Sequence, residues 1–293
     1  MKRDWSGQTG GTQAMQRALV SLFRYVDIRV AYVCMHLWLI WYMLVRPAAV
    51  KASYRYHRLR GRGRFKAAAD VYRSFYHFGK AIIDRFAVYA GVRFEVNVEN
   101  SELYYGKMRQ KQGLVLLFSH LGNSEMAAYA CSTPDKRMNI IAFGGESQVV
   151  MTQREKVLAA NNIGLIRVVP DELGHIYEIS KAVSQGEVIT MAGDRNMGGK
   201  SIICNLLGKP AQLPLGPFQL CSALKCPVLL TFVVKTAYRS YTVYTEQLDN
   251  DASLPREKAV QNLANQYVQH IQQMIRKHPY QWFNFYDFWA DKQ

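Results

Sequence analysis

The chain has 293 residues, enough for one large domain or two modest ones with an ordinary core. Its 37 Lys and Arg against 22 Asp and Glu leave a net charge of +15, which draws it to polyanions: nucleic acid, an anionic bilayer or an acidic protein. The five cysteines (Cys34, Cys131, Cys204, Cys221, Cys226) are odd in number, lack metal-ligand spacing and lie mostly in apolar runs, which argues against a disulfide scaffold or a bound metal and for a reducing compartment.

After a polar, Gly-rich lead, residues 30–45 read VAYVCMHLWLIWYMLV, with no full charge. A bilayer span wants about 20 apolar residues, so a run of this length suits a short span, an interfacial helix or a buried one. Trp38, Trp41, Tyr32 and Tyr42 favour the headgroup zone, and Arg29 and Arg46 flank the run where long cations can snorkel. Directly after it, KASYRYHRLRGRGRFK (51–66) carries seven Lys and Arg and no acid. Beside a membrane each such cation is attracted to anionic lipid by about 1 kcal/mol; away from one, the run is simply a solvated charged face. No small-residue cleavage site follows the apolar stretch, so it is not read as a cleaved signal peptide, and its basic side is expected to face the cytoplasm. Residues 1–66 are thus read as a membrane-associating helix with a basic segment, and 67–293 as a separate α/β domain.

Residues 67–92 place apolar and aromatic side chains at helical spacing and stop at Gly91, which predicts an amphipathic helix. The texture then changes. RFEVNVE alternates like a strand, and GLVLLF, NIIAF, GEVITMAGD and CPVLLTFVVK are short apolar runs of buried-strand type. Helical stretches are expected near 122–131, 148–162 and 173–185, SYTVYTEQL alternates again, and 255–277 reads as a long helix with Pro255 at its start. Strands alternating with helices predict an α/β fold: a mixed central sheet flanked by helices, with the hydrophobic amino-terminal helix packed on it or set in the membrane as an anchor.

The strand LVLLF is expected to end at Ser119, which puts His120 at the carboxyl edge of the sheet, where open α/β folds keep reactive groups. Glu125 follows in the first turns of the next helix, in reach to orient one ring nitrogen and leave the other to take a proton. This is the His and acid half of a triad, with the nucleophilic hydroxyl supplied by the substrate. The H-x-x-x-x-E spacing alone is a weak signal. Asp194, followed by Arg195 in a Gly-rich turn after GEVITMAG, reads equally well as a turn cap or as part of a site. His57, His77, His175, His270 and His278 have no carboxylate at suggestive spacing and are read as structural.

Beyond that turn come LLGKPAQLPLGPFQLCSALKCPVLLTFVV, with Gly208, Pro210 and Ala211 in a loop, Gly216 and Pro217 opening a helix and Pro227 starting a strand. The whole succession resembles the lipid A biosynthesis late acyltransferases, within the wider superfamily that includes the glycerolipid acyltransferases. The likeness rests on the H-x-x-x-x-(D/E) signature after a strand, a later strand ending in an acidic, Gly-rich turn, a proline-led strand, the oily amino-terminal helix with its basic follow-on, and Trp282 near the carboxyl end. It covers roughly residues 5–289.

The resemblance implies O-acyl transfer from acyl carrier protein, a strongly acidic partner, to a hydroxyl of a lipid A-type glycolipid precursor at the cytoplasmic face of the bacterial inner membrane. No cofactor or metal is implied. His120 would be the general base and Glu125 its orienting acid. Arg154, in MTQREKVL, would steady the oxyanion or a lipid phosphate. Asp194 matches the acid of the family's DQ-type turn, but Arg195 stands where that turn has Gln, which leaves the partner of Asp194 open; both are expected to contact substrate. The ending WFNFYDFW departs from the basic tail common in lipid A enzymes, which opens the alternative of another lipid acceptor: a lysophospholipid, an amino-acid lipid or a polyene lipid. A basic nucleic-acid-binding protein is the remaining alternative, and it is disfavoured because residues 51–66 lack a reader fold and adjoin an oily helix.

Overall fold

The computed structural model describes residues 18, 20–124, 126, 136–143, 158, 162–168, 174–196, 199–251 and 253–289. The helices expected over 122–131 and 148–162 fall almost wholly outside these residues.

Described residues 18 and 20–22 are helical, and two longer consecutive helices follow them. Helix α1 (Ile28–Val45) is capped by Asp27, whose carboxylate accepts the Arg29 N–H at 2.8 Å. It stops because Pro47 drives the preceding residue out of helical conformation, leaving Arg46 at φ −124°, and α2 (Pro47–Leu59) then restarts with Pro47 in its first turn. Both lie against α3 (Arg64–Tyr89), a 26-residue helix. The basic run therefore differs from the expected plain charged segment. Ala52, Ser53, Tyr56 and His57 are buried at helical spacing, and the cations stand on the remaining surface. Several of these cations have internal partners: Arg62 meets the buried Asp70 at 2.7 Å, and Arg55 meets Asp287 at 2.5 Å.

Strand β1 (Glu95–Val98) and helix α4 (Ser101–Met108) lead into β2 (Leu114–Gly122). Then follow β3 (Met138–Phe143), β4 (Ile163–Val168), α5 (Gly174–Ser184) and β5 (Val188–Ala192). The chain continues through β6 (Ser201–Leu206), β7 (Lys209–Pro214), α6 (Leu215–Leu224), β8 (Val228–Ala237), β9 (Ser240–Leu248) and α7 (Arg256–Lys277). Seven strands form one sheet in the order β1-β9-β8-β2-β5-β3-β4. All neighbours are parallel except β8 and β9, so the sheet is mixed, as the alternation of elements predicts.

The central strands are buried on both faces, which is why they read as continuous apolar runs. Val115 and Leu117 of β2 pack with Leu263, Tyr267 and Ile271 of α7. Leu114 and Leu116 join the opposite cluster around Tyr104 of α4. The region expected to be a loop around Gly208 is instead the turn of an antiparallel hairpin, β6–β7. Leu207 and Gly208 both adopt positive φ (54° and 77°), the requirement of a tight two-residue hairpin turn, and Pro210 is accommodated because the hairpin has only two strands.

One glycine is required by geometry where β2 ends. Gly122 has φ +79°, and a Cβ there would lie 2.1 Å from the backbone oxygen of Val233 in β8. Gly91, at φ +90° after α3, has open space instead. Gly91→Ala is expected to cost about 1 kcal/mol, the conformational price alone, and Gly122→Ala about 2–4 kcal/mol from strain plus clash. Thermal unfolding of the two variants side by side checks the difference.

Candidate active site

Strands β2 and β5 are parallel neighbours with Phe118 opposite Ala192. Two residues further along each strand stand His120 and Asp194, at the same height on the carboxyl edge of the sheet. Gly193 continues the ladder past the end of β5, its N–H reaching the Phe118 oxygen at 3.0 Å. A side chain at Gly193 would come within 2.9 Å of the Tyr267 ring, so the missing Cβ lets Tyr267 donate its hydroxyl to that same oxygen at 2.8 Å.

The imidazole Nδ1 of His120 lies 2.7 Å from Asp194 Oδ1, and the His120 backbone N–H donates to Oδ2 at 2.8 Å. Asp194 is fully buried, whereas the His120 side chain keeps 24% of its surface exposed. One ring nitrogen is thus fixed by a carboxylate while the side chain as a whole is not sealed from solvent. Asn284 gives Asp194 a third hydrogen bond, from Nδ2 to Oδ2 at 2.9 Å, and the Tyr286 hydroxyl donates to the Asp194 backbone oxygen at 3.0 Å.

Electrostatics follow from this enclosure. Burial lowers the His120 pKa below the ordinary histidine value, partly offset by the charge of Asp194, so the ring is neutral and able to accept a proton near pH 7. Burial pushes the Asp194 carboxyl up, but the protonated His120 ring, its hydrogen bonds and Arg195 outweigh that and hold it at about 2. The carboxylate therefore stays ionised across the physiological range. Its contribution to folding is present above the ordinary Asp range and is lost only as pH falls toward about 2.

The carboxyl-terminal segment completes the site. Between Phe118 and Gly122 the pairing of β2 with β8 shifts: Phe118 faces Thr231 and Gly122 faces Val233, so β2 carries two extra residues and bulges away. Residues 281–283 occupy the space. Gly122 N–H donates to the Gln281 oxygen at 2.7 Å, Leu121 and Trp282 form an antiparallel bridge, and Phe283 N–H donates to the His120 oxygen at 2.8 Å.

Of the site residues expected from sequence, His120, Asp194 and Arg195 come together, and Glu125 and Arg154 lie outside the described residues. Asp194, whose partner the motif left open, is partnered by His120. Arg195 turns toward the carboxyl-terminal segment, with Nε on Asn284 Oδ1 at 2.9 Å and Nη2 on the Phe283 oxygen at 2.7 Å. Sequence reasoning missed Asn284. Its signal was the one amide in a mainly aromatic run, WFNFYDFW, which reads as packing or an interfacial belt. Among the described residues no group of three or more His, Cys, Asp and Glu could hold a metal ion.

Among curated proteins none matches the sequence. Among solved structures, the 1-acyl-sn-glycerophosphate (LPA) acyltransferase PlsC from Thermotoga maritima is similar at 12% identity and a TM-score of 0.43, over 91% of this chain and 97% of that one. Residues 74–290 match the family described as bacterial lipid A biosynthesis acyltransferase, a span that includes His120, Asp194, Arg195 and Asn284. The chain belongs to this bacterial lipid A biosynthesis acyltransferase family and is an acyltransferase acting on lipid acceptors.

Proposed function

We propose that the enzyme transfers a fatty acyl chain from acyl carrier protein to a hydroxyl of a lipid A-type glycolipid precursor, at the cytoplasmic face of the bacterial inner membrane, with His120 as general base. The observation that carries this reading is the partly open imidazole held through Nδ1 by the buried Asp194. Nε2 then takes the acceptor hydroxyl proton as the oxygen attacks the thioester carbonyl. The tetrahedral intermediate collapses with cleavage of the C–S bond, the ester forms, and the departing thiolate takes the proton back from the imidazolium. Asp194 stabilises that imidazolium and fixes the ring tautomer. Glu125 keeps its role in orienting His120, shared with Asp194. Arg154 steadies the oxyanion or a lipid phosphate, and the excess of cations suits an acidic donor protein.

In this reading α1 lies in the membrane interface. Its inner face is engaged with α3 through Tyr32, Leu39 and a stacked His36–Tyr76 pair, while Leu37 (78% exposed), Trp38 (65%) and Leu44 (75%) stand outward. Exposed Lys51, Arg64 and Lys66 add attraction to anionic headgroups.

A second reading keeps the chemistry and changes the acceptor. The segment closing the site is aromatic and without cations from Tyr280 to Trp289, and Arg195 is directed into it, which favours a lipid less phosphorylated than a lipid A precursor. Mass spectrometry of total lipids with and without the gene decides between the two, since the lost species names the acceptor and the chain.

His120→Ala is expected to lower acyl transfer about 10²- to 10⁴-fold, and unchanged lipid composition in cells carrying it would overturn the catalytic assignment. Wild-type kcat/KM should fall on the acid side through a pKa below the ordinary histidine value, because only the neutral ring accepts the proton. Asp194→Asn removes the charge that supports the imidazolium, so turnover should drop about 10²- to 10⁴-fold while the acid limb moves to still lower pH. A pH–rate series on both enzymes tests this. Replacing Trp38 and Trp41 together by Ser should weaken retention on anionic phospholipid vesicles, and adding salt should weaken it further, as read by co-sedimentation.

A further inference from the structure

A second buried charge cluster lies behind the catalytic turn, apart from His120 and Asp194. Asp84 of α3 is fully buried. Its carboxylate accepts hydrogen bonds from the Tyr32 hydroxyl of α1, the Tyr241 hydroxyl of β9, and Lys235 Nζ of β8, the last at 2.7 Å. Three separate elements thus meet on one carboxylate. A buried ion pair of this kind adds little net stability over an apolar replacement of similar volume, and its attested use is to specify one arrangement.

That arrangement leads to the catalytic turn by two routes. In the first, the backbone of Lys235 is clamped by the Gln281 side chain, which accepts the Lys235 N–H at 3.0 Å and donates to the Lys235 oxygen at 2.8 Å. The Gln281 backbone oxygen in turn accepts the Gly122 N–H, two residues after His120. In the second, the Tyr241 hydroxyl bound to Asp84 also accepts from Asn123 Nδ2 at 3.4 Å, and the same amide donates to the Ala81 oxygen of α3 at 3.1 Å. Gly122 and Asn123, which end the bulge that presents His120, are therefore tied to the Asp84 cluster from both sides. Tyr32 gives α1, the outward apolar helix, a direct hold on it.

We propose that Asp84 and Lys235 are positioning residues for acyl transfer. They hold the turn that carries His120, and the hold is complete only when Tyr32 seats α1 against α3. The helix offered to the lipid surface is by this means linked to the alignment of the base. The proposal rests on His120 being that base.

The test measures thioester consumption from dodecanoyl acyl carrier protein, with total lipid extracted from a strain lacking the gene as the acceptor pool. Lys235→Met alone leaves Asp84 buried without its cation and is expected to melt early. The double variant Asp84→Asn with Lys235→Met removes both charges and should recover the melting temperature. If the pair positions the turn, kcat in this refolded double variant stays about 10- to 100-fold low with KM for the donor unchanged, and Tyr32→Phe lowers kcat several-fold with vesicle retention intact. Recovery of kcat along with melting temperature in the double variant would show a purely structural pair and overturn the proposal. His120→Ala is run beside them: if it keeps wild-type turnover, the assignment of the base fails, whereas an inactive His120→Ala with a fully active double variant sinks the positioning role alone.

Discussion

Strand β2 leaves its partner β8 after Phe118 and rejoins it at Gly122, and the backbone groups freed in between need partners in a largely buried place. They find them from three directions. The His120 N–H goes to the Asp194 carboxylate, the Leu121 N–H to the Ser119 hydroxyl, and the His120 oxygen and Gly122 N–H to residues 281–283. The side chain of His120 is aimed by the same departure that creates the unmet groups. Because the Asp194 carboxylate meets both the His120 backbone N–H and the ring Nδ1, the orientation of the imidazole and the satisfaction of the strand end are a single structural solution.

Around that solution the molecule arranges charge by depth. Asp194 and Asp84 are both fully buried, and each accepts hydrogen bonds from at least three donors, the compensation a buried carboxylate requires. Cations of the α2–α3 corner work nearer the surface, where Arg55–Asp287 and Arg62–Asp70 tie the amino-terminal hairpin to the carboxyl-terminal segment and to itself. Exposed pairs such as Arg55–Asp287 contribute at most about 1 kcal/mol. The segment is held more firmly by its aromatic contacts, Tyr56 with Trp282 and Phe75 with Phe285, and by the strand-like bonds to β2.

Much of this was legible in the sequence where periodicity is strong. The central strands announce themselves as apolar runs because both faces are covered, and α7 because Leu263, Tyr267, Ile271 and Met274 recur at helical spacing. His120 was visible from its place near the carboxyl end of an apolar strand, although the strand does not stop at Ser119 as expected: β2 runs on to Gly122 and includes the histidine. Its bond to Asp194 was not, since the two are 74 residues apart and meet only through the pairing of β2 with β5, which no local pattern encodes. Helix α2 was obscured by its arginines, and the β6–β7 hairpin by a Leu-Gly turn in which a leucine takes a conformation usually left to glycine or asparagine. Asn284 was hidden for a different reason: its value lies entirely in a contact with a side chain from the middle of the chain.

The use of residues 281–284 to finish a site begun at residue 120 has a consequence for biosynthesis. Synthesis runs from the amino end, so α1 is made long before Gln281, Phe283 and Asn284 have been translated. A nascent chain can therefore have its amino-terminal helices in place while His120 still lacks the backbone that shapes its turn. The site is whole only after the ribosome has delivered the last strand-like stretch, which separates the making of the amino-terminal helices from the assembly of the site.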